Sequence, residues 1–405
     1  MLKRYFLNNK KRNFSTASIW IKGGSDMDST GKKGINKILC SLLTRGCEGF
    51  NNFTLSEYIE SYGAELNQEI FEDGISISIK SLNEHFSKLF PLLDLIINKP
   101  ILSETEFKKV KKSSIDHIKK DKENPFNICF EKWRKIVYSN HPYAFNTIGN
   151  ANDVSKITYE DVLLEFKNLK NREKYLISNN PEINGENFGT LEKKILKEKS
   201  DPLNHNLNTT NRFDYINNDS NQTIIMMGDQ TCSRRSSEYF PLKVLESYLS
   251  YGMSAALFKL FREKHGITYD LGVYYPIRSG NAPFLIYLSV SNEQALFAFE
   301  LLSTLWKNLL LNPLTDAEIF LAKEKLKGSF LLGNQSLDEI LQRKIQLVSY
   351  GISPISENDL NSKIEEISSL DILKLTNKYF SKPFLSISGN KNICLEISNR
   401  WKKNF

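Results

Sequence analysis

The apolar residues of the first half alternate between strand-like and helix-like spacing. Strand-like runs occur at residues 16–22 and 74–79, and the second run alternates apolar and polar residues with a period of two. Helical spacing extends from residue 34 to about residue 44. Further along, Ser103 and Glu106 have the spacing of a capping box, which predicts the start of a long polar helix.

The second half repeats this order of elements. Residues 222–228 and 284–290 have the composition of buried strands, and helical spacing predicts helices over 240–261 and 297–311. The segment INKPILSETEF of the first half has a counterpart, LLNPLTDAEIF, with a Thr and a Glu at the same capping-box spacing. A repeat of about 200 residues is far longer than a solenoid repeat. It predicts two related α+β domains, each a mixed sheet covered by helices on one face.

The two halves are separated by residues 186–211, which are rich in Asn, Lys and Glu and poor in large apolar side chains. This composition predicts an exposed linker. We therefore expect an N-terminal domain at 1–185 and a C-terminal domain at 212–405. The division suits the length, because 405 residues exceed what one hydrophobic core usually holds.

Composition argues against several classes of function. The formal charge is +7, from 54 Lys and Arg against 47 Asp and Glu, and the basic residues are scattered among acidic ones, so a nucleic-acid-binding surface is not predicted. No apolar run is long enough to predict a membrane span, and the N-terminus lacks the apolar segment of a secretory signal. The five Cys form no CxxC pair, which favours a reducing compartment, and we expect a cytoplasmic protein.

Four segments carry recognisable motifs: WIKGGS at residues 20–25, GINKILCSLLTRG at 34–46, HPY at 141–143 with Gly149, and a longer motif at 250–269. Together they resemble the M16 peptidases, the pitrilysin and insulinase family that includes the processing peptidases. Residues 20–25 (WIKGGS) resemble the family's first strand and its Gly-Ser turn. Residues 34–46 resemble the helix of the inverted zinc motif, Gly-[Ile/Leu]-Ala-His-x-x-Glu-His-Met-x-x-x-Gly. Residues 141–143 (HPY) with Gly149 resemble another family segment, and residues 250–269 (SYGMSAALFKLFREKHGITY) are similar to GGGxSSRLFxxLREKxGLAY. The resemblance implies two homologous domains of the LuxS/MPP-like metallohydrolase type, which form a clam-shell.

The zinc motif is altered at every functional position. It requires two His at i and i+4, on one face of a helix, and a Glu that activates the zinc-bound water. The two His positions hold Lys37 and Ser41, and the Glu position holds Cys40. The third ligand, a Glu on a later helix in the family, corresponds to His117, next to Asp116. A protonated Lys has no lone pair to donate and Ser is a poor zinc ligand at neutral pH, so this chain is expected to hold no zinc of its own.

A different metal site, built from Cys40, Cys47 and His117, is an alternative interpretation. The two Cys are seven residues apart and share a helical face only if the helix continues past Gly46, which is expected to end it. We expect Cys40 to be a core thiol and His117 to be a surface residue instead.

Arg262 and Tyr269 keep the family's spacing of seven residues. In family members this pair reaches the substrate's backbone carbonyl across the cavity between the halves, where an Arg and a phenol stabilise the developing oxyanion. The alternative interpretation is structural: Arg262 belongs to a charged surface run, and Tyr269 begins a strand.

The resemblance therefore implies a non-catalytic subunit of a two-chain M16 peptidase. Such heterodimers combine a zinc-bearing chain with one that supplies the Arg/Tyr pair or a glycine-rich loop. The loop around Gly252 is short and has a single Gly, so the chain resembles the bacterial partner type more than the mitochondrial processing α-subunit. We expect a zinc-bearing M16 partner, binding of unfolded peptide and no cofactor in this chain. The alternatives are a purely structural core-type subunit of a larger complex, and an independent metalloenzyme.

Overall fold

The structure is a computed structural model that describes residues 2–7, 13–187, 211–218, 220–268, 270–332, 336–352 and 360–405. Within these ranges, no helix combines the length and the hydropathy needed to cross a membrane.

Strands and helices follow one another in a similar order in both halves. The strands are β1 (Leu2–Phe6), β2 (Phe14–Lys22), β3 (Gly46–Cys47), β4 (Phe50–Asn51), β5 (Glu65–Ile70), β6 (Gly74–Leu82), β7 (Lys174–Ser178), β8 (Glu186–Asn187), β9 (Phe213–Asn217), β10 (Gln222–Gln230), β11 (Asp270–Tyr274), β12 (Pro283–Ser291) and β13 (Phe384–Gly389). The helices are α1 (Ile35–Leu43), α2 (Asn52–Ser61), α3 (Asn83–Leu89), α4 (Pro91–Asn98), α5 (Glu104–Asp121), α6 (Pro125–Tyr138), α7 (Ala151–Lys156), α8 (Tyr159–Lys170), α9 (Tyr239–Ser250), α10 (Ala295–Leu311), α11 (Asp316–Leu332), α12 (Leu337–Ser349), α13 (Leu360–Glu365), α14 (Ser369–Phe380) and α15 (Lys391–Asn404). A π-helical segment, Phe258–Lys264, precedes β11.

The two main sheets share one topology over five strands, and the first has β8 as a sixth. The first has the strand order β5-β6-β2-β7-β1-β8 and the second β11-β12-β10-β13-β9. In each, the long central strand, β2 or β10, is antiparallel to both neighbours, and a parallel pair, β7 with β1 or β13 with β9, follows. The repeat predicted from sequence is therefore confirmed at the level of strand order, as is the prediction of two mixed sheets with helices. Helices lie on both faces of the first sheet, whereas one face was expected.

The first sheet is covered on both faces because its strands together carry apolar side chains on both. Ile19 and Ile21 of β2 point to one face and belong to the core that includes α1. Trp20 points to the opposite face, since side chains alternate along a strand, and it packs with Leu337 and Leu341 of α12. Helix α12 comes from the second half of the chain but belongs to the first compact unit.

The second sheet receives a helix from the first half in the same way. Helix α6 belongs to the second compact unit and packs on β9, β10 and β13. The Ser386 hydroxyl of β13 donates to the carbonyl of Cys129 at 3.0 Å, and the ring of Phe126 meets Tyr287 of β12 edge-on, with centroids 5.1 Å apart. The division into 1–185 and 212–405 did not include this exchange of helices, because periodicity shows which face of a helix is apolar but not which sheet covers it.

Local predictions can be compared with the elements directly. The helix predicted over 240–261 is wrong in extent: α9 ends at Ser250, since Tyr251 is extended and Gly252 has a φ of 73°. The second capping box is confirmed, with the Thr315 amide donating to Glu318 Oε2 at 2.9 Å and the Glu318 amide to Thr315 Oγ1 at 3.4 Å. Of the predicted linker 186–211, the first two residues form β8, and residues 188–210 lie outside the described ranges.

Candidate functional site

Helix α1 carries three of the positions that the sequence matched to the zinc motif. Lys37 and Ser41 are half-buried on one face of the helix, and Cys40 is fully buried in the core of the first unit. Burial raises the pKa of the Cys40 thiol to about 12; the Lys37 charge opposes this shift and Glu69 adds to it. At neutral pH Cys40, the residue matched to the motif's Glu, is therefore a neutral, inaccessible thiol, which neither accepts a proton from water nor offers a thiolate to a metal.

The start of α1 is fixed by a buried carboxylate from the preceding turn. Asp28 accepts hydrogen bonds from the amide of Gly34 at 2.6 Å, the amide of Asn36 at 3.1 Å and the Asn36 side-chain amide at 2.8 Å. Burial raises the pKa of Asp28 to about 6. The hydrogen bonds limit this rise, because they stabilise the charged carboxylate. Asp28 thus satisfies amide groups that a helix N-terminus leaves without partners.

A buried polar network extends from this helix to the end of α8. Asn36 stands where the family motif has Ala, and its side-chain oxygen accepts from Arg172 Nη1 at 3.0 Å. The same nitrogen of Arg172 donates to the carbonyl of Gly23 at 3.0 Å, and its other terminal nitrogen pairs with Glu165. Sequence reasoning missed this network; the one available signal was a polar Asn on the apolar face of a predicted helix.

Two segments that resemble the family in sequence meet at the N-terminus of α1. Gly34 has a φ of 101°, and a Cβ there would lie 2.8 Å from the carbonyl of Ile148. A Cβ on Gly149 would lie 2.2 Å from the carbonyl of Lys33. Only glycine fits at these two positions, because both need a left-handed backbone and leave no space for a side chain.

The remaining candidate ligands do not form a metal site with α1. His117 lies on an exposed face of α5, next to the exposed Asp116, whereas Cys47 is buried in β3. No three His, Cys, Asp or Glu side chains among the described residues are grouped closely enough to hold a metal ion. The alternative site of Cys40, Cys47 and His117 therefore gains no support.

Each sheet presents one edge strand beside a candidate segment. Strand β5 forms an edge of the first sheet in the described part of the chain, and α1 packs against it. Strand β11 has the same place in the second sheet. Arg262 is exposed on the π-helical segment that precedes β11, with its guanidinium carbon 4.9 Å from the centre of the Phe258 ring. Tyr269, the other member of the predicted pair, lies outside the described residues.

Family models provide the deciding comparison. The model described as insulinase (peptidase family M16) matches residues 4–151, and the model described as peptidase M16 inactive domain matches residues 182–326. The chain belongs to the M16 peptidase family.

Curated relatives of this M16 chain match it over most of their length. An uncharacterized zinc protease of Rickettsia felis is 23% identical over 370 residues, which cover 89% of this chain and 88% of that protein. The uncharacterized zinc protease YmxG of Bacillus subtilis is 22% identical over 412 residues, covering 96% and 99%.

Solved structures show the same M16 fold. A peptidase M16 inactive domain protein from Pseudomonas fluorescens superposes with a TM-score of 0.83 at 18% identity and covers 96% of this chain and 95% of its own. A protease from Helicobacter pylori superposes with a TM-score of 0.82 at 17% identity, covering 95% and 96%. The M16 resemblance and the fold class predicted from the motifs are thereby confirmed.

Proposed function

We propose that this M16 chain is a non-catalytic subunit of a two-chain peptidase. The observation that carries the proposal is the chemistry of α1, where Lys37, Cys40 and Ser41 replace both His ligands and the Glu base. These residues do not fit zinc: Lys37 brings a positive charge, Ser41 is a weak ligand, and the Cys40 thiol is buried in its neutral form. We therefore derive no hydrolytic step for this chain, and we propose that zinc is held by its partner.

Peptide binding in this proposal uses the edge of the first sheet. Strand β5 offers backbone amides and carbonyls to an extended peptide, which adds to the sheet as a further strand. Its residues alternate between exposed and less exposed positions, as expected for an edge strand with one solvent-facing side. Recognition through backbone groups suits unfolded peptides of varied sequence.

Arg262 and Tyr269 are the residues proposed to act in the partner's active site. The Arg262 side chain is exposed on the π-helical segment, and a guanidinium presented in this way suits a peptide carbonyl that becomes negatively charged in the transition state. The location is proposed to be the cytoplasm, in keeping with five cysteines that are all buried free thiols.

Reconstitution tests the proposal. The chain is co-expressed with a zinc-bearing M16 chain from the same genome, and hydrolysis of an unstructured peptide is measured for the purified mixture. Replacing Arg262→Ala is expected to lower kcat by roughly 100-fold, the usual effect of losing one oxyanion donor. Glu263→Ala, at the neighbouring exposed position of the same segment, is the matched control and is expected to retain activity. Undiminished hydrolysis with Arg262→Ala would refute the proposed role.

Zinc analysis of the chain alone completes the test, because stoichiometric zinc would favour an independent metalloenzyme.

A purely structural role in a larger complex is the second candidate function. It is favoured by exposed apolar side chains on α11, where Phe320 is 66% exposed, Leu331 70% and Leu332 65%. Affinity purification from the native source distinguishes the candidates. Co-purification with a zinc-bearing M16 chain supports the peptidase subunit, whereas recovery with membrane-complex subunits and no such chain supports the structural role.

A further inference from the structure

The second unit has an open surface pocket that the proposed peptidase function does not use. Its volume is about 330 Å³, which lies at the lower end of the range for small-molecule sites. The π-helical segment, α9, α10 and α11 contribute its walls. Leu260, Leu305 and Leu321 form its apolar surface, so the pocket can shield one side of an aliphatic group from water.

Three lysines also line this cavity, which we call the lysine–leucine pocket. Lys259 and Lys264 come from the π-helical segment and Lys325 from α11. None of the three forms an ion pair with a carboxylate in the described ranges. Helix α11 does neutralise its other ammonium groups: Lys323 and Lys327 both pair with Glu365. On α11, the lysine without an ion pair is thus the one that lines the pocket.

The one carboxylate in the lining is already occupied by other donors. Glu318 Oε1 accepts from the Tyr248 hydroxyl at 3.1 Å, and Oε2 accepts from the amide and hydroxyl of Thr315 at 2.9 and 2.8 Å. Lys259 contributes to lowering the pKa of Glu318, but only after these hydrogen bonds. Three positive charges against one negative charge leave the pocket with a local excess of positive charge.

The lysines also repel one another. Burial lowers the pKa of Lys325, and the nearby positive charge of Lys259 lowers it further. An anion between the two ammonium groups would offset this repulsion and supply hydrogen-bond acceptors to both.

We propose that the lysine–leucine pocket binds a small amphipathic carboxylate, with its aliphatic chain against Leu260, Leu305 and Leu321 and its carboxylate between the lysines. An inorganic anion such as phosphate would leave the leucine surface exposed to water, and a neutral alkyl chain would leave the ammonium groups unpaired. Two sources share the required chemistry: a free medium-chain fatty acid and the C-terminal carboxylate of an apolar peptide.

Calorimetric titration of the full chain tests the chemistry of the ligand. Octanoate is the probe, and octanol and inorganic phosphate are the comparisons that lack the charge or the chain. Octanoate is expected to bind roughly tenfold more tightly than either, and more weakly as ionic strength rises. Equal affinities for octanoate and octanol, or no octanoate binding in the millimolar range, would overturn the proposal.

Variants locate the binding to this pocket. The double change Lys259→Glu with Lys325→Glu is expected to abolish octanoate binding. Lys402→Glu, an exposed lysine on α15 of the same unit, is the matched control and is expected to leave binding unchanged. Ala256→Leu keeps every charge but fills part of the pocket, so it too should weaken binding if the chain lies there. The assignment of binding to this pocket is contradicted if Lys402→Glu loses as much octanoate affinity as the pocket variants, or if both pocket variants bind octanoate fully.

Competition then separates the two sources. N-acetyl-Leu-Leu with a free carboxylate displaces octanoate if the pocket accepts peptide C-termini, whereas its amide does not. If octanoate binds and the peptide acid fails to compete, the pocket is assigned to free fatty acids.

Discussion

Asp26 precedes α1 in a turn where its carboxyl group has little access to water. The backbone amide of Gly24 donates to Asp26 Oδ1 at 2.7 Å. Burial, and then the negative charge of Asp73, raise the pKa of Asp26 from its ordinary value of 3.8 to about 7. The folded chain therefore holds a proton on Asp26 more tightly than the unfolded chain does.

This raised pKa predicts a pH-dependent loss of stability. Between pH 4 and 7 the folded state binds more protons, so the free energy of unfolding falls as pH rises through that window. Asp26→Asn removes the titration and is expected to raise the free energy of unfolding at pH 8 by about 1–3 kcal/mol. Urea denaturation at pH 5 and pH 8 measures the effect, with the exposed Asp116→Asn as control. The prediction is contradicted if the free energy of unfolding changes as much between pH 5 and pH 8 in Asp26→Asn as it does in the unaltered protein.

Local sequence spacing was sufficient to place the altered motif residues. Lys37, Cys40 and Ser41 were expected on one helix and lie on α1, because helical periodicity depends on neighbours only a few positions away. The contacts of Asn36 with Arg172 could not be predicted. They join residues 136 positions apart, and nothing in either local sequence specifies the other.

At the scale of elements, the N-terminus of α1 depends on a close approach between two chain segments. Gly34→Ala is expected to lower the free energy of unfolding by about 1–3 kcal/mol through backbone strain, with a further loss from the contact with Ile148. Gly31→Ala is the matched control: its φ is also positive, at 79°, but no atom lies within 4 Å of the added Cβ. Urea denaturation of both variants separates the backbone strain from the contact with Ile148. Equal losses of the free energy of unfolding would show that the contact contributes nothing.

Helix α12 offers a second test at this scale. Leu341→Ala removes a fully buried side chain from the face of α12 that covers Trp20. We expect the free energy of unfolding to fall by about 2–4 kcal/mol. We also expect faster amide hydrogen exchange in β2 and β7, measured by mass spectrometry. The exposed Glu339→Ala on the same helix should leave exchange in those strands unaltered. Protection of β2 that survives Leu341→Ala would mean that α12 adds little to this core.

Element prediction succeeded where the periodicity was strong. Helices α10 and α11 and strands β6 and β12 agree with their patterns. The helix after residue 240 was predicted too long, because the helical spacing of apolar residues continues past Gly252 whereas the α-helical backbone ends before it. Apolar spacing reports burial, and both an α-helix and a turn followed by a π-helical segment can bury the same residues.

At the scale of the whole molecule, neither half of the sequence contains all of one compact unit. The first unit includes α12 and the second includes α6. Fragments 1–187 and 211–405 are therefore expected to be insoluble when expressed separately, because each has an uncovered apolar sheet face. Co-expressed, they are expected to co-purify. Size-exclusion chromatography and thermal denaturation provide the measurement. A soluble, cooperatively melting monomer from either fragment alone would contradict this expectation.

The exchanged helix also sets the order of events during synthesis. Strands β1, β2 and β7 are complete once Ser178 has been made, but the helix that covers Trp20, Tyr175 and Ile177 ends at Ser349. At about 5–20 residues per second, the intervening stretch of roughly 170 residues takes on the order of 10–30 s to translate. Throughout that interval the nascent chain exposes an apolar sheet face that includes the aromatic Trp20 and Tyr175, so we expect chaperones to bind it on the ribosome until α12 has been made.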